Sequence, residues 1–174
     1  VLYLYQDMGA QDELMATQLL NKMNSVQLTD EEQAILKESL KNASASHPEN
    51  EEWMYLYARM LAADGEFGDS IAAFEKILAG LPEEAKADRS AALVQIAQAK
   101  YYAAEQTASV EIYQYLERAL ALEPKNSQAL GLAGIMAFEL DKLDDAFAHW
   151  KALWFNISAS PEAASLEQGI TRIA

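Results

Sequence analysis

Small and bulky residues recur at fixed distances along this chain, and that recurrence restricts it to a stack of helical hairpins. Gly134, preceded by Ala133, is followed twelve residues later by Ala146 and sixteen later by Trp150. Upstream, Ala58 stands at the same distances from Ser70 and Phe74. A third, stretched copy has Ala97, Ile112 and Leu116, and in two copies a proline, Pro82 or Pro124, lies eight residues beyond the bulky residue. Two helices at the usual separation of about 8–10 Å approach closely only where one side chain is small, and the large residue of the partner fills the gap beside it. Self-similarity at such a period marks a solenoid, in which each hairpin buries its apolar face against its neighbours. Such arrays offer extended surfaces to other chains rather than pockets for chemistry.

Composition agrees. The 174 residues are 51% hydrophobic, with only four prolines and seven glycines, and lack the β-branched runs of buried strands. An all-α fold follows, large enough to bury a core without metal or disulfide. The formal charge of −14 excludes a nucleic-acid groove, which needs clustered Lys and Arg, and disfavours an anionic membrane surface. The acidity reads as a solvated helix surface, so a partner's matching surface is apolar or basic. The absence of cysteine leaves the redox compartment open. Val1-Leu2-Tyr3-Leu4-Tyr5 turns polar at Gln6-Asp7. This start reads either as the outer end of a membrane helix, with membrane anchoring upstream of Val1, or as an ordinary apolar terminus.

Along the chain, residues 1–50 form an N-terminal segment with two helices. Asp12 to Met23 carries Leu14, Met15, Leu19, Leu20 and Met23 at spacings that suit one buried face, and Thr29 with Glu32 forms a capping box before Ile35, Leu36 and Leu40. Residues 51–174 form the array: a first repeat over 51–84, a stretched second over 90–126, a third over 127–160 and a capping helix over 161–174. In the first repeat Met54, Tyr57, Ala58 and Leu61 face Ile71, Phe74 and Ile77 across a break at Gly65. In the third, Leu130, Ala133, Gly134 and Ala137 face Ala146, Trp150 and Leu153. The middle repeat, from Pro82 to Pro124, is 42 residues against the standard 34. Five of the eight extra residues precede Leu93, where they could lengthen the first helix, and three fall in the turn around Gln106-Thr107-Ala108. Lys100 takes a place that is apolar elsewhere, so its stem is expected to pack while its ammonium snorkels outward. Ser160-Pro161 opens the last helix, with Ala163, Leu166, Ile170 and Ile173 on one stripe.

With three copies in register over about 110 residues, the chain resembles tetratricopeptide repeats. The expected fold is a tetratricopeptide-repeat α-solenoid of stacked antiparallel hairpins. Within that class it is similar to the periplasmic tetratricopeptide factors of bacterial cytochrome c maturation, which accompany the haem lyase. The likeness rests on Ala99-Lys100-Tyr101-Tyr102-Ala103, on Leu116-Glu117-Arg118-Ala119-Leu120-Ala121-Leu122-Glu123-Pro124, and on Ala137-Phe138 followed by Ala148-His149-Trp150. It covers the chain from Glu51 onward. The first fifty residues resemble nothing so specifically. The resemblance implies a periplasmic chaperone, tethered to the inner membrane by a helix missing from this chain. It would hold the C-terminal helix of apocytochrome c, together with other haem-lyase subunits, while haem is attached. Two other readings stay open: a different tetratricopeptide adaptor in envelope-protein assembly or secretion, and a domain that regulates or recruits a hydrolase.

In a stacked array the first helix of each hairpin lines the concave face, so its residues off the packing stripe meet a ligand. Those are Tyr55 and Arg59 in the first repeat, Val94, Gln98, Tyr101 and Tyr102 in the second, and Gly131, Ile135, Phe138 and Glu139 in the third. An amphipathic helix would bury its apolar face against Tyr101, Ile135 and Phe138, Gly131 would admit a close backbone, and Arg59 could anchor a carboxylate. The same aromatics are equally at home in an inter-repeat core.

Nothing points to catalysis. His47 precedes a proline, and His149 lies beside Trp150, neither with a second ligand at metal spacing. There is no phosphate loop, no nucleophile elbow and no cysteine nucleophile. No enzyme activity, cofactor, metal or small-molecule substrate is expected. A protein working beside haem could offer His149 as an axial ligand, but return helices usually face outward.

Overall fold

The computed structural model describes residues 2–159. Among them are eight helices and no strand: α1 (Leu2–Met23), α2 (Asp30–Ser46), α3 (Glu51–Ala63), α4 (Phe67–Gly80), α5 (Lys86–Ala103), α6 (Val110–Leu122), α7 (Ser127–Glu139) and α8 (Leu143–Ser158). The capping helix expected over 161–174 lies outside the described residues. The chain forms two compact units, Val1–Ile77 and Leu78–Ala174.

Local chemistry sets the helix ends. Glu32 N–H donates to Thr29 Oγ1 at 3.2 Å and Thr29 N–H to Glu32 Oε2 at 3.1 Å, the expected capping box. Asn50, Ser109 and Asn126 cap α3, α6 and α7 through their side-chain oxygens. The hairpin turns need left-handed backbone: φ is +80° at Gly65 and 58° at Asp141, and 53° and 59° at Glu105 and Gln106 in the stretched turn. The eight extra residues of the middle repeat fall where the spacing places them. α5 has 18 residues against 13 in α3 and α7, and the α5–α6 turn takes the remainder.

In the first unit, Ala58 is buried against α4, and Ser70 Oγ donates to the Ala58 carbonyl at 2.8 Å. Phe74 is fully buried, with Tyr55 edge-on at 5.4 Å. A second cluster joins Ala16 and Leu19 of α1 to Leu28, Leu36 and Leu40, with Trp53, Leu56, Tyr57 and Met60 packed against it. The expected buried face of α1 is narrower than its hydrophobic spacing. Leu14, Met15 and Met23 are exposed, because Ala16 and Leu19 carry the close approach to α2. Lys22 pairs with Glu32, and Lys37 with Asp64 and Glu66. Those two carboxylates hold the Lys37 ammonium well above the usual lysine range.

The second unit centres on Leu93, Ala97, Ile112, Leu116, Ala133 and Met136. Ser90 ties three helices together: its Oγ donates to the Ala119 carbonyl at 2.9 Å and accepts from Asn126 Nδ2 at 3.0 Å, while Asn126 Oδ1 caps α7. Arg89 donates to the carbonyls of Leu78 and Leu81, satisfying acceptors left open at the end of α4. Lys100 is half-buried and ends in an ion pair with Glu111 at 2.8 Å, as its snorkelling position suggests. Gly134 is occupied by its partner: a Cβ built there would lie 2.1 Å from Trp150 Nε1. Trp150 nevertheless stays 40% exposed, unlike its counterpart Phe74. Its helix is the last one described, and Leu143, Phe147, Trp154 and Ile157 share its uncovered face.

Candidate protein-binding surface

In the second unit α5 and α7 lie side by side and are cross-linked twice. Gln128 Nε2 donates to Gln98 Oε1 at 3.1 Å, and Tyr101 Oη donates to Glu139 Oε1 at 2.9 Å. Burial and the Glu139 carboxylate push the Tyr101 hydroxyl pKa up, so it remains a neutral donor. Between these links, seven residues beyond Gln128 on α7, Ile135 is 42% exposed. Tyr102 is 44% exposed and leans on Tyr101 with centroids 6.0 Å apart. The face therefore combines exposed apolar area with polar groups held in place by their own partners.

The structure thus gathers Gln98, Tyr101, Tyr102, Ile135 and Glu139 on one side of the second unit. Three expected residues depart from it. Val94 is fully buried in the core, because the lengthened α5 packs on more than one side and turns this position inward. At Gly131 a Cβ would meet Leu153 of α8 at 3.7 Å, so this glycine faces the return helix. Phe138 is four residues from Gly134 and follows it toward α8, where its ring lies 5.9 Å from that of Trp150. Tyr55 and Arg59 belong to the first unit. Tyr55 packs on Phe74, while Arg59 is exposed.

Arg59 borders a groove that the sequence did not reveal. Its volume is about 380 Å³, and its walls come from Leu20 and Met23 of α1, Leu28, Leu36 of α2, and Leu56 and Met60 of α3. Gln27, Gln33, Arg59 and Asp64 supply its polar rim. The residues that build it carry ordinary helix-core spacing, so nothing local distinguishes a wall from a core. The signal available was an excess of Leu and Met on α1 beyond what one partner helix can cover.

His149, the residue weighed as an axial ligand, is engaged within the second unit. His149 Nε2 lies 2.9 Å from Tyr113 Oη. Burial lowers the His149 pKa and pushes that of Tyr113 up to about 12, so the phenol keeps its proton and donates to a neutral imidazole. Lys142 Nζ covers the Tyr113 ring at 4.6 Å. Among the described residues no three His, Asp or Glu side chains converge as metal ligands would.

No family model matches the chain. It is 27% identical over 134 residues to the cytochrome c-type biogenesis protein CycH of Pseudomonas aeruginosa, a match that takes in 76% of this chain. The chain spans about a third of the length of that relative (32%). Among solved structures it is similar to a MamA RS-1 ArsTM double mutant, with a TM-score of 0.65 and 16% identity over 85% of this chain and 76% of that one. That structure is a tetratricopeptide-repeat protein, and the fold here is the same helical array. The comparisons agree with a tetratricopeptide-like chain resembling a cytochrome c biogenesis protein. No helix among the described residues is long and apolar enough to cross a membrane.

Proposed function

We propose that this chain is a non-catalytic tetratricopeptide scaffold of cytochrome c maturation, which holds the C-terminal helix of apocytochrome c on the α5–α7 face while the haem lyase attaches haem. The observation that carries the reading is the exposed pair Ile135 and Tyr102 beside the fixed Tyr101–Glu139 and Gln98–Gln128 links, in a chain similar to a cytochrome c-type biogenesis protein. An amphipathic helix laid there covers Ile135 and Tyr102 with its apolar side, gaining about 1 kcal/mol per half-exposed side chain covered. Its polar flank meets amide and carboxylate groups whose rotamers are already held, so little ordering cost is added on binding. The role belongs in the bacterial envelope. A periplasmic position beside the other haem-lyase subunits, with a membrane tether upstream, completes the reading.

Calorimetry of the chain with a peptide of an apocytochrome c C-terminal helix, against a scrambled control, tests it. Saturable binding that weakens at least about fivefold in Tyr101→Ala and Ile135→Ala is expected, with helical circular dichroism unchanged. Heat no greater than the scrambled control removes the apocytochrome reading and leaves a tetratricopeptide adaptor for another envelope client.

A further inference from the structure

The first unit holds a groove with a built asymmetry: its walls are leucine and methionine, and its rim bears one uncommitted cation. Arg59 is the one arginine among residues 1–77, in a chain of net charge −14. Lys22, Lys37 and Lys41 of the same unit are each engaged by a carboxylate and Lys76 is not among the groove's lining residues, whereas Arg59 lines the groove and makes no ion pair among the described residues. Asp64, also on the rim, shares Lys37 with Glu66. The rim therefore offers a positive charge at Arg59 without an ion-pair partner, beside a carboxylate, Asp64, already engaged by Lys37.

The size and lining narrow the occupant. An apolar cavity of about 150 Å³ takes up benzene, so about 380 Å³ has room for two side chains of leucine or phenylalanine size. Met23 of α1 and Met60 of α3 can re-pack around different apolar groups, and Met23 is 52% exposed, so the groove opens to solvent. Gln27 and Gln33 on the rim suit the polar flank of a peptide. We infer that this groove is a second protein-binding site, taking an amphipathic helical segment with two apolar anchors one turn apart and a carboxylate beside them that pairs with Arg59. This site is separate from the α5–α7 face and does not rest on the apocytochrome reading.

The probe is a blocked amphipathic peptide of about fourteen residues, with leucines at i, i+3, i+4 and i+7, a single glutamate beside them and otherwise uncharged residues. A second peptide carries lysine in place of the glutamate. Calorimetry uses the whole chain. The glutamate peptide binds wild type at least about tenfold more tightly than the lysine peptide, and Arg59→Glu reverses that order. Met23→Glu, at an exposed wall position that leaves the fold intact, weakens both peptides about tenfold or more. Equal affinity of the two peptides for wild type, or an order unchanged in Arg59→Glu, overturns the inference. So does saturable binding of decanoate with no binding of either peptide, which would make the groove a site for free aliphatic acids.

Discussion

Gly134→Ala should destabilise the chain although alanine is the better helix former. At an unobstructed helical position the exchange stabilises by about 1 kcal/mol, since glycine carries that penalty within a helix. Here the new Cβ would lie 2.1, 2.4 and 2.7 Å from Nε1, Cδ1 and Cε2 of Trp150, inside any allowed contact. The clash is with the body of a rigid ring, so the indole must leave its site. Leaving forfeits the burial of rather more than half its surface, about 1–2 kcal/mol, and the ring contact with Phe138, about 0.5–1.5 kcal/mol. Set against the propensity gain, the net loss is about 1–2 kcal/mol. Two controls isolate the cause. Gly131→Ala, in the same helix, meets only Leu153 Cδ2 at an ordinary 3.7 Å and should stabilise by up to about 1 kcal/mol. In a Trp150→Leu background, Gly134→Ala should change sign and stabilise, giving a coupling of about 2–3 kcal/mol in the double-mutant cycle. Urea denaturation of the five chains, read by far-ultraviolet circular dichroism, supplies the numbers. A stabilising Gly134→Ala in the wild-type background, or the same effect in both backgrounds, would refute the claim that Trp150 occupies the glycine notch.

Three further outcomes follow from particular residues. Ser90→Ala removes both the donor to the buried Ala119 carbonyl and the acceptor for Asn126, and should cost about 2 kcal/mol in urea denaturation, well beyond a surface serine. Gly65→Ala places a Cβ in open space at φ +80°, so its cost of about 1–2 kcal/mol is purely backbone, and crystal structures of the variant should show no repacking. His149, whose folded pKa lies below its unfolded value, takes up protons more readily when unfolded. Its contribution is therefore intact above about pH 6.5 and is lost as pH falls below it. The melting temperature of wild type minus that of His149→Gln should accordingly shrink between pH 7.5 and pH 5.5, and a difference that grows on acidification would contradict the burial of a neutral imidazole.

The fold was legible because its rules are local and repeated. The twelve- and sixteen-residue distances from Gly134 to Ala146 and Trp150 reappear as a real notch and its filler, and the length of the middle repeat divides between a longer α5 and a longer turn. The Thr29–Glu32 box could be read from two residues three apart. The candidate binding surface was only half legible, because it depends on which way a helix is rotated between two neighbours. Helical spacing placed Tyr101, Ile135 and Glu139 on a shared face but could not foresee that Val94 turns into the core, or that Gly131 and Phe138 follow Gly134 toward α8. The α1–α3 groove was invisible for a related reason. Its leucines have core spacing, and only tertiary packing leaves space between them.

For the proposed seat of a client helix on α5 and α7 of the second unit, the decisive measurement is amide hydrogen exchange with the apocytochrome c C-terminal peptide at saturation. Added protection concentrated over residues 98–102 and 128–139 is expected. Binding that leaves those segments unprotected, with protection confined to α8 or to the α1–α3 groove, would contradict it.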